Sequence, residues 1–96
     1  MATYVMLSRF SPEAFRDPRE FLEIVQRVTA EINIRCPNVT WKSSHATLGR
    51  FDVVDIVESS DLRQLELATM IIRGHGHSIT ETLQATPWKD FLASLA

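Results

Sequence analysis

Cysteine is nearly missing from this sequence. Cys36 stands alone, so the chain can close no internal disulfide. No positively charged start leads into an apolar stretch, and the two absences together favour a reducing, cytoplasmic setting. Long apolar runs are lacking as well: none approaches the ~18 residues of a membrane span. Basic charge is not in excess. Ten Lys and Arg are dispersed among twelve Asp and Glu, for a net charge of −2, whereas a nucleic-acid binder clusters cations to displace counterions from phosphate. The three glycines form no phosphate-cradling loop, no serine sits in a nucleophile elbow, and there is no Cys pair. The run Gly74-His75-Gly76-His77 contains H-x-H but lacks a third and fourth ligand at a diagnostic spacing, so it reads as a helix-to-strand loop rather than a metal site. No cofactor is called for. Repeats, linkers and low-complexity segments are also absent.

What is present is ordinary globular material, 45% hydrophobic over 96 residues. That is one domain, spanning 1–96, with one modest core. A chain of this size gains by pairing with a second copy.

The elements follow from periodicity. Thr3 to Phe10 reads as a strand with apolar residues at both parities (Tyr4, Val5, Met6, Leu7), hence a central one, covered on both faces. Asp17-Pro18-Arg19-Glu20 starts a helix with Asp17 as N-cap, Pro18 at N1 and Glu20 placed to complete a capping box. Phe21, Ile24, Val25, Val28 and Ile32 make its inward stripe, and Pro37 ends it. Val39 to Leu48 is a more polar strand, Gly49-Arg50 suits a two-residue hairpin turn, and Phe51 to Glu58 is a strongly apolar third strand. Asp61 with Gln64 caps a second helix, whose stripe is Leu65, Ala68 and Ile72 with Leu67 and Ile71 beside it. Gly74 or Gly76 is expected to end it in the left-handed conformation. His77 to Ala85 is the fourth strand. Thr86-Pro87 then opens a short helix with Trp88, Phe91, Leu92 and Leu95 on one side. The order β-α-β-β-α-β plus a C-terminal helix is ferredoxin-like α+β, with a four-stranded antiparallel sheet. Both helices then cover one sheet face. The other carries apolar side chains that a lone soluble chain rarely leaves open, so a homodimer through that face is expected.

The stretch Thr47-Leu48-Gly49-Arg50-Phe51-Asp52-Val53-Val54, continuing Ile56-Val57-Glu58, resembles the GYD-domain family, named for a Gly, aromatic and Asp cluster at this hairpin. Thr3-Tyr4-Val5 with Leu7, Phe10-Ser11, Asp17-Pro18-Arg19 and Thr80 to Ala85 are similar to the family too, so the resemblance spans nearly the whole chain. Phe51 stands where the family usually has Tyr, His45 where an aromatic ring is typical, and Asp55 where the residue is apolar. Ser11-Pro12-Glu13-Ala14 replaces a Gln-Gly loop. The resemblance implies a dimeric α+β barrel and no assigned reaction. The hairpin is also similar to the effector-binding domain of leucine-responsive regulators, which hold amino acids between subunits. Other dimeric α+β barrels are small oxygenases and isomerases, and fold alone does not choose among these.

Asp55 is the most unusual residue, a carboxylate in mid-strand that must be paired, hydrated or neutralised. Facing the helices it would be costly; it is expected either to face a hydrated cavity between subunits, as an acid, base or ligand contact, or to be half of an ion pair with Lys42, Arg9 or a partner-subunit residue. A tight turn at Gly49-Arg50 sets His45 opposite Val54 and Ser44 opposite Asp55, on different faces. It also groups Trp41, His45, Thr47 and Asp52 on the face away from the helices. Asp52 can bond backbone N–H groups near the turn. Two functions are expected. One is a homodimeric binding or regulatory module holding a small organic ligand between its sheets, with Trp41, His45, Thr47 and Asp52 as contacts. The alternative is a cofactor-independent oxygenase or isomerase using His45 or Asp55 for proton transfer. Neither involves nucleic acid or a membrane.

Overall fold

The computed structural model describes residues 1–96. The strand with apolar residues at both parities, β1 (Ala2–Phe10), lies in the middle of the sheet. It pairs antiparallel with β3 (Val53–Ser59) on one side and β4 (Ser78–Ala85) on the other, and β2 (Val39–Ala46) lies outside β3, giving the order β2-β3-β1-β4. Two helices, α1 (Pro18–Arg35) and α2 (Leu62–His75), connect the strands, and a short helix, α3 (Trp88–Ala93), ends the chain. This is the βαββαβ ferredoxin-like arrangement. The core lies between the sheet and the two long helices. Met6 and Val57 from the sheet meet Ile32, Cys36, Leu65, Ala68, Ile71 and Ile72 from the helical side. No helix is long and apolar enough to cross a membrane.

The helix starts form where the capping residues stand. Asp17 accepts the Arg19 N–H at 2.9 Å. Glu20 makes no return bond, so the expected capping box is half formed. At α2 the Asp61 carboxylate accepts from the N–H groups of Arg63 (3.1 Å) and Gln64 (3.2 Å). The Gln64 side chain turns away to accept the Asn38 N–H at 2.7 Å, and Ser59 Oγ accepts the Asp61 N–H in its place at 3.0 Å. The end of α2 departs from expectation. Neither Gly74 nor Gly76 is left-handed; His77 takes that conformation, at φ 51°. Gly76 is required for another reason: a Cβ there would run into the Ile72 carbonyl, which accepts the Gly76 N–H at 2.9 Å.

In the β2–β3 hairpin His45 lies opposite Val54 and Ser44 opposite Asp55, the pairing a tight turn demands. The turn itself is looser. The last backbone bond runs from the Thr47 N–H to the Asp52 carbonyl at 2.9 Å, leaving residues 48–51 as an open connection with Gly49 at φ 125°. Further along β2 the register shifts between Trp41 and Ser43. Lys42 is the extra residue of a β-bulge, which reverses the strand's parity. Trp41, expected beside His45, therefore pairs with Val57 and packs against the core.

Candidate functional site

The two sheet faces have different chemistry. On the helical side α1 stands away from the strands. Its closest neighbours are α2 and the 3-10 turn Pro12–Phe15. An aromatic cluster props its first turns: Phe21 stacks on Phe15 at 4.4 Å and meets Phe10 edge-on at 4.9 Å. Its far end is held by Ile32 in the core and by Glu31, which pairs with His75 of α2 at 3.2 Å. Between these supports a cavity of about 390 Å³ remains. Phe21, Val28 and Ile32 wall it from α1, and Phe10, Trp41 and Val53 from the sheet.

Asp55 and Ser8 are the buried polar residues of this cavity, at 6% and 2% exposure, and the exposed Thr29, Asn33 and Ser44 add polar groups to its lining. Asp55 pairs across the strands with Met6, and Ser8 with Val53, so the two are diagonal neighbours on one face, close enough to touch a common small group. Ser8 Oγ has no hydrogen-bond partner. The Asp55 carboxylate forms no ion pair; Lys42, an expected partner, pairs instead with Glu58 at 3.7 Å. Ser44 sits opposite Asp55 and supplies a further hydroxyl at the cavity's edge.

The other face carries no helix. Its central row is Ser43, Ile56, Val5 and Leu83; the next is His45, Val54, Leu7 and Glu81. Leu83 and Ile79 on edge strand β4 are exposed. Helix α3 makes no substantial contact with any other element. Its Trp88 and Phe91 rings stack on each other at 5.5 Å, and they stay exposed together with Leu92 and Leu95.

The sequence-derived site residues are thus dispersed. His45 lies on the open face, and Asp55, expected to face a cavity between subunits, faces the helices instead, where the gap under α1 receives it; the two form no dyad. Trp41 joins Asp55 rather than His45. Thr47 and Asp52 both hold the hairpin: Thr47 Oγ1 donates to the Phe51 carbonyl at 2.7 Å, and the Asp52 carboxylate accepts the Phe10 N–H at 2.9 Å. Ser8 was not legible as a functional residue. Its only signal is a small polar side chain at the inward parity of β1, between Met6 and Phe10. Cys36 is 1% exposed; burial pushes its thiol pKa up, against the opposing pull of Arg35 and with a smaller push from Glu31, so it is no activated nucleophile.

The GYD domain family model matches residues 4–95. The chain belongs to the GYD domain family. Among curated proteins this GYD domain is 26% identical to the glutamine synthetase and cystathionine beta-lyase binding protein of Thermus thermophilus, with 99% of each chain covered. Among solved structures it is similar to a protein of Thermus thermophilus (25% identity, TM-score 0.55, 91% of this chain and 95% of that one). It also resembles a hypothetical protein of Pyrococcus horikoshii (24% identity, TM-score 0.56, 91% and 92%), a likeness of fold alone.

Proposed function

We propose that this GYD domain is a homodimeric, non-catalytic binding module that docks on a metabolic enzyme. Two sheets pair face to face, and α3 of each copy lies on the rim of the other. The uncovered apolar sheet face is the observation that carries this reading. The chain exposes 6867 Å², about 1,300 Å² more than the roughly 5,600 Å² typical of a compact monomer of this mass. That excess is larger than the ~800 Å² each partner contributes to a standard interface. A face-to-face pair would bring the rows through Ile56 and Val54 out of water and give the stacked Trp88 and Phe91 a surface to rest on. The protein-binding role is supported by the Thermus relative, named for binding glutamine synthetase and cystathionine beta-lyase. The outer helical layer of the dimer would meet such a partner through exposed Leu22, Leu67 and Met70, set among charges of both signs.

A ligand between the sheets has weaker support, since Thr47 and Asp52 are engaged in the hairpin and Trp41 turns to the core. The dyad form of proton-transfer catalysis loses its support, because His45 and Asp55 lie on opposite faces of the sheet.

Light scattering tests the dimer. The wild type is expected at twice the chain mass at micromolar concentration, and Ile56→Glu, in the middle of the open face, is expected as a monomer with a lowered melting temperature. A monomeric wild type overturns the reading. Titration with purified glutamine synthetase and cystathionine beta-lyase tests the partner class. Binding weakened by Met70→Glu supports docking through the helical layer, and no binding to either enzyme removes it.

A further inference from the structure

The cavity beneath α1 is independent of the sheet face and of any dimer. We propose that it is a binding site for a small organic amine: an apolar, ring-sized or branched body carrying one ammonium group, the body against the walls and the nitrogen at Asp55.

Three observations support this. The volume, about 390 Å³, lies within the range of small-molecule sites, which are mostly apolar with a few placed polar groups. Two polar side chains more than nine-tenths buried, Asp55 and Ser8, line it without partners inside the protein. A buried hydroxyl left so is costly, and a ligand that bonds it and brings a cation to the Asp55 carboxylate, which has no ion pair, offsets that cost. Finally, the charge of the lining is one-sided. No Lys, Arg or His borders the cavity, and Asp55 is its only ionisable group. A carboxylate or phosphate on the ligand would meet like charge with no counter-charge, which selects against amino acids, organic acids and nucleotides and in favour of a cation.

The arrangement also suggests how the amine would sit. The ammonium group donates to the Asp55 carboxylate and to Ser8 Oγ, diagonal neighbours on β3 and β1. Ser44 Oγ, opposite Asp55 on β2, is a further acceptor in the lining. Phe10, Phe21 and Trp41 offer ring faces and edges to the apolar body. The aromatic prop at the start of α1 holds the roof open, so the site is formed before the ligand arrives.

The test uses three probes of one shape and different charge: 2-phenylethylammonium, 2-phenylethanol and 3-phenylpropanoate. Each is titrated into the full chain and followed by amide and side-chain NMR shifts. The ammonium probe is expected to saturate and to move Ser8, Trp41, Val53 and Asp55 but not Val5 or Ile56 on the open face. The alcohol is expected to bind about tenfold or more weakly, the value of one charge-assisted hydrogen bond, and the carboxylate not at all. Asp55→Asn, similar in shape, should weaken the ammonium probe by about the same factor and remove the preference over the alcohol. Val28→Phe, which fills the cavity from α1, should abolish binding of both while leaving Asp55 in place; it keeps the test decisive if the Asp55 variant folds poorly. The proposal is overturned by equal affinity for ammonium and carboxylate, by shifts confined to the open face, by an Asp55→Asn variant that binds unchanged, or by no saturable binding up to about 10 mM, where even a millimolar site would be mostly filled.

Discussion

Helix α2 turns Leu65, Ala68, Ile71 and Ile72 fully inward, whereas α1, with 18 residues to its 14, buries only Ile32 completely. Both have a Pro-free interior, an Asp cap and an apolar stripe of helical period. The difference lies in what the stripes are made of and what lies beneath their ends. Ala68 offers only a methyl group, so α2 can approach Met6 and Val57 closely. The stripe of α1 begins with Phe21, locked against Phe10 and Phe15, and continues through Ile24 and Val28 over Asp55. An amphipathic stripe fixes which side of a helix faces inward; the residues at its ends fix how far down it settles. One helix completes the core, and the other roofs a cavity.

The largest test of that difference is a matched pair of truncations. Ile71→Ala in α2 removes a core side chain that does not border the cavity and is expected to cost about 2–5 kcal/mol. Ile24→Ala in α1 removes one that already borders open space, and fewer contacts are lost, so about 1 kcal/mol or less is expected. Urea unfolding at one fixed protein concentration compares them, and equal losses would mean that α1 is packed as tightly as α2. A smaller effect should separate the caps. Asp61 accepts two N–H groups and Asp17 one, so Asp61→Ala should lose about 1–2 kcal/mol and Asp17→Ala about 0.5–1 kcal/mol. The reverse order in melting temperature would contradict the better anchoring of α2.

The smallest effect concerns Cys36, at the end of α1, whose thiol pKa is raised by burial above its ordinary 9.0. The folded state keeps the proton that the unfolded state gives up. This contribution to stability is therefore fully present below about pH 9 and is lost as pH rises through the folded value. Thiol alkylation should be slow at neutral pH, and in Cys36→Ala the decline in stability above about pH 9 should flatten. Rapid labelling at neutral pH would show instead that this end of α1 opens readily.

Much of the fold was legible because local and long-range signals agreed. Asp17 and Asp61 begin their helices, β1 is central as its two apolar parities require, and the hairpin pairing follows from Gly49-Arg50 even though the loop is open. Misplaced features depended on information outside the local pattern. The parity of Trp41 depends on a bulge at Lys42, and nothing in Thr40-Trp41-Lys42-Ser43 announces one. The left-handed residue after α2 is His77 rather than a glycine, because Gly76 is needed for its close approach to the Ile72 carbonyl. The cavity was out of reach for a similar reason. Inward parity puts Asp55 and Ser8 on the helical side, but the space above them depends on how far α1 stands off the sheet, and the contact of Phe10, Phe15 and Phe21 at its first turns is a tertiary feature that no local pattern announces.

The bulge at Lys42 also has a consequence for how β2 tolerates change. The strand carries two phases of alternation joined at one residue: Val39 and Trp41 point inward before it, Ser44 and Ala46 after it. Deleting Lys42 would remove the extra residue and leave one regular alternation, with Trp41 still inward opposite Val57 and His45 still outward opposite Val54; keeping Lys42 but pairing it without the bulge would turn one half of the strand over. Substituting Lys42 changes only an exposed side chain. A deletion scan of β2 should therefore find this surface lysine among the most dispensable positions, in agreement with a substitution scan, whereas inserting a second residue beside it should be poorly tolerated.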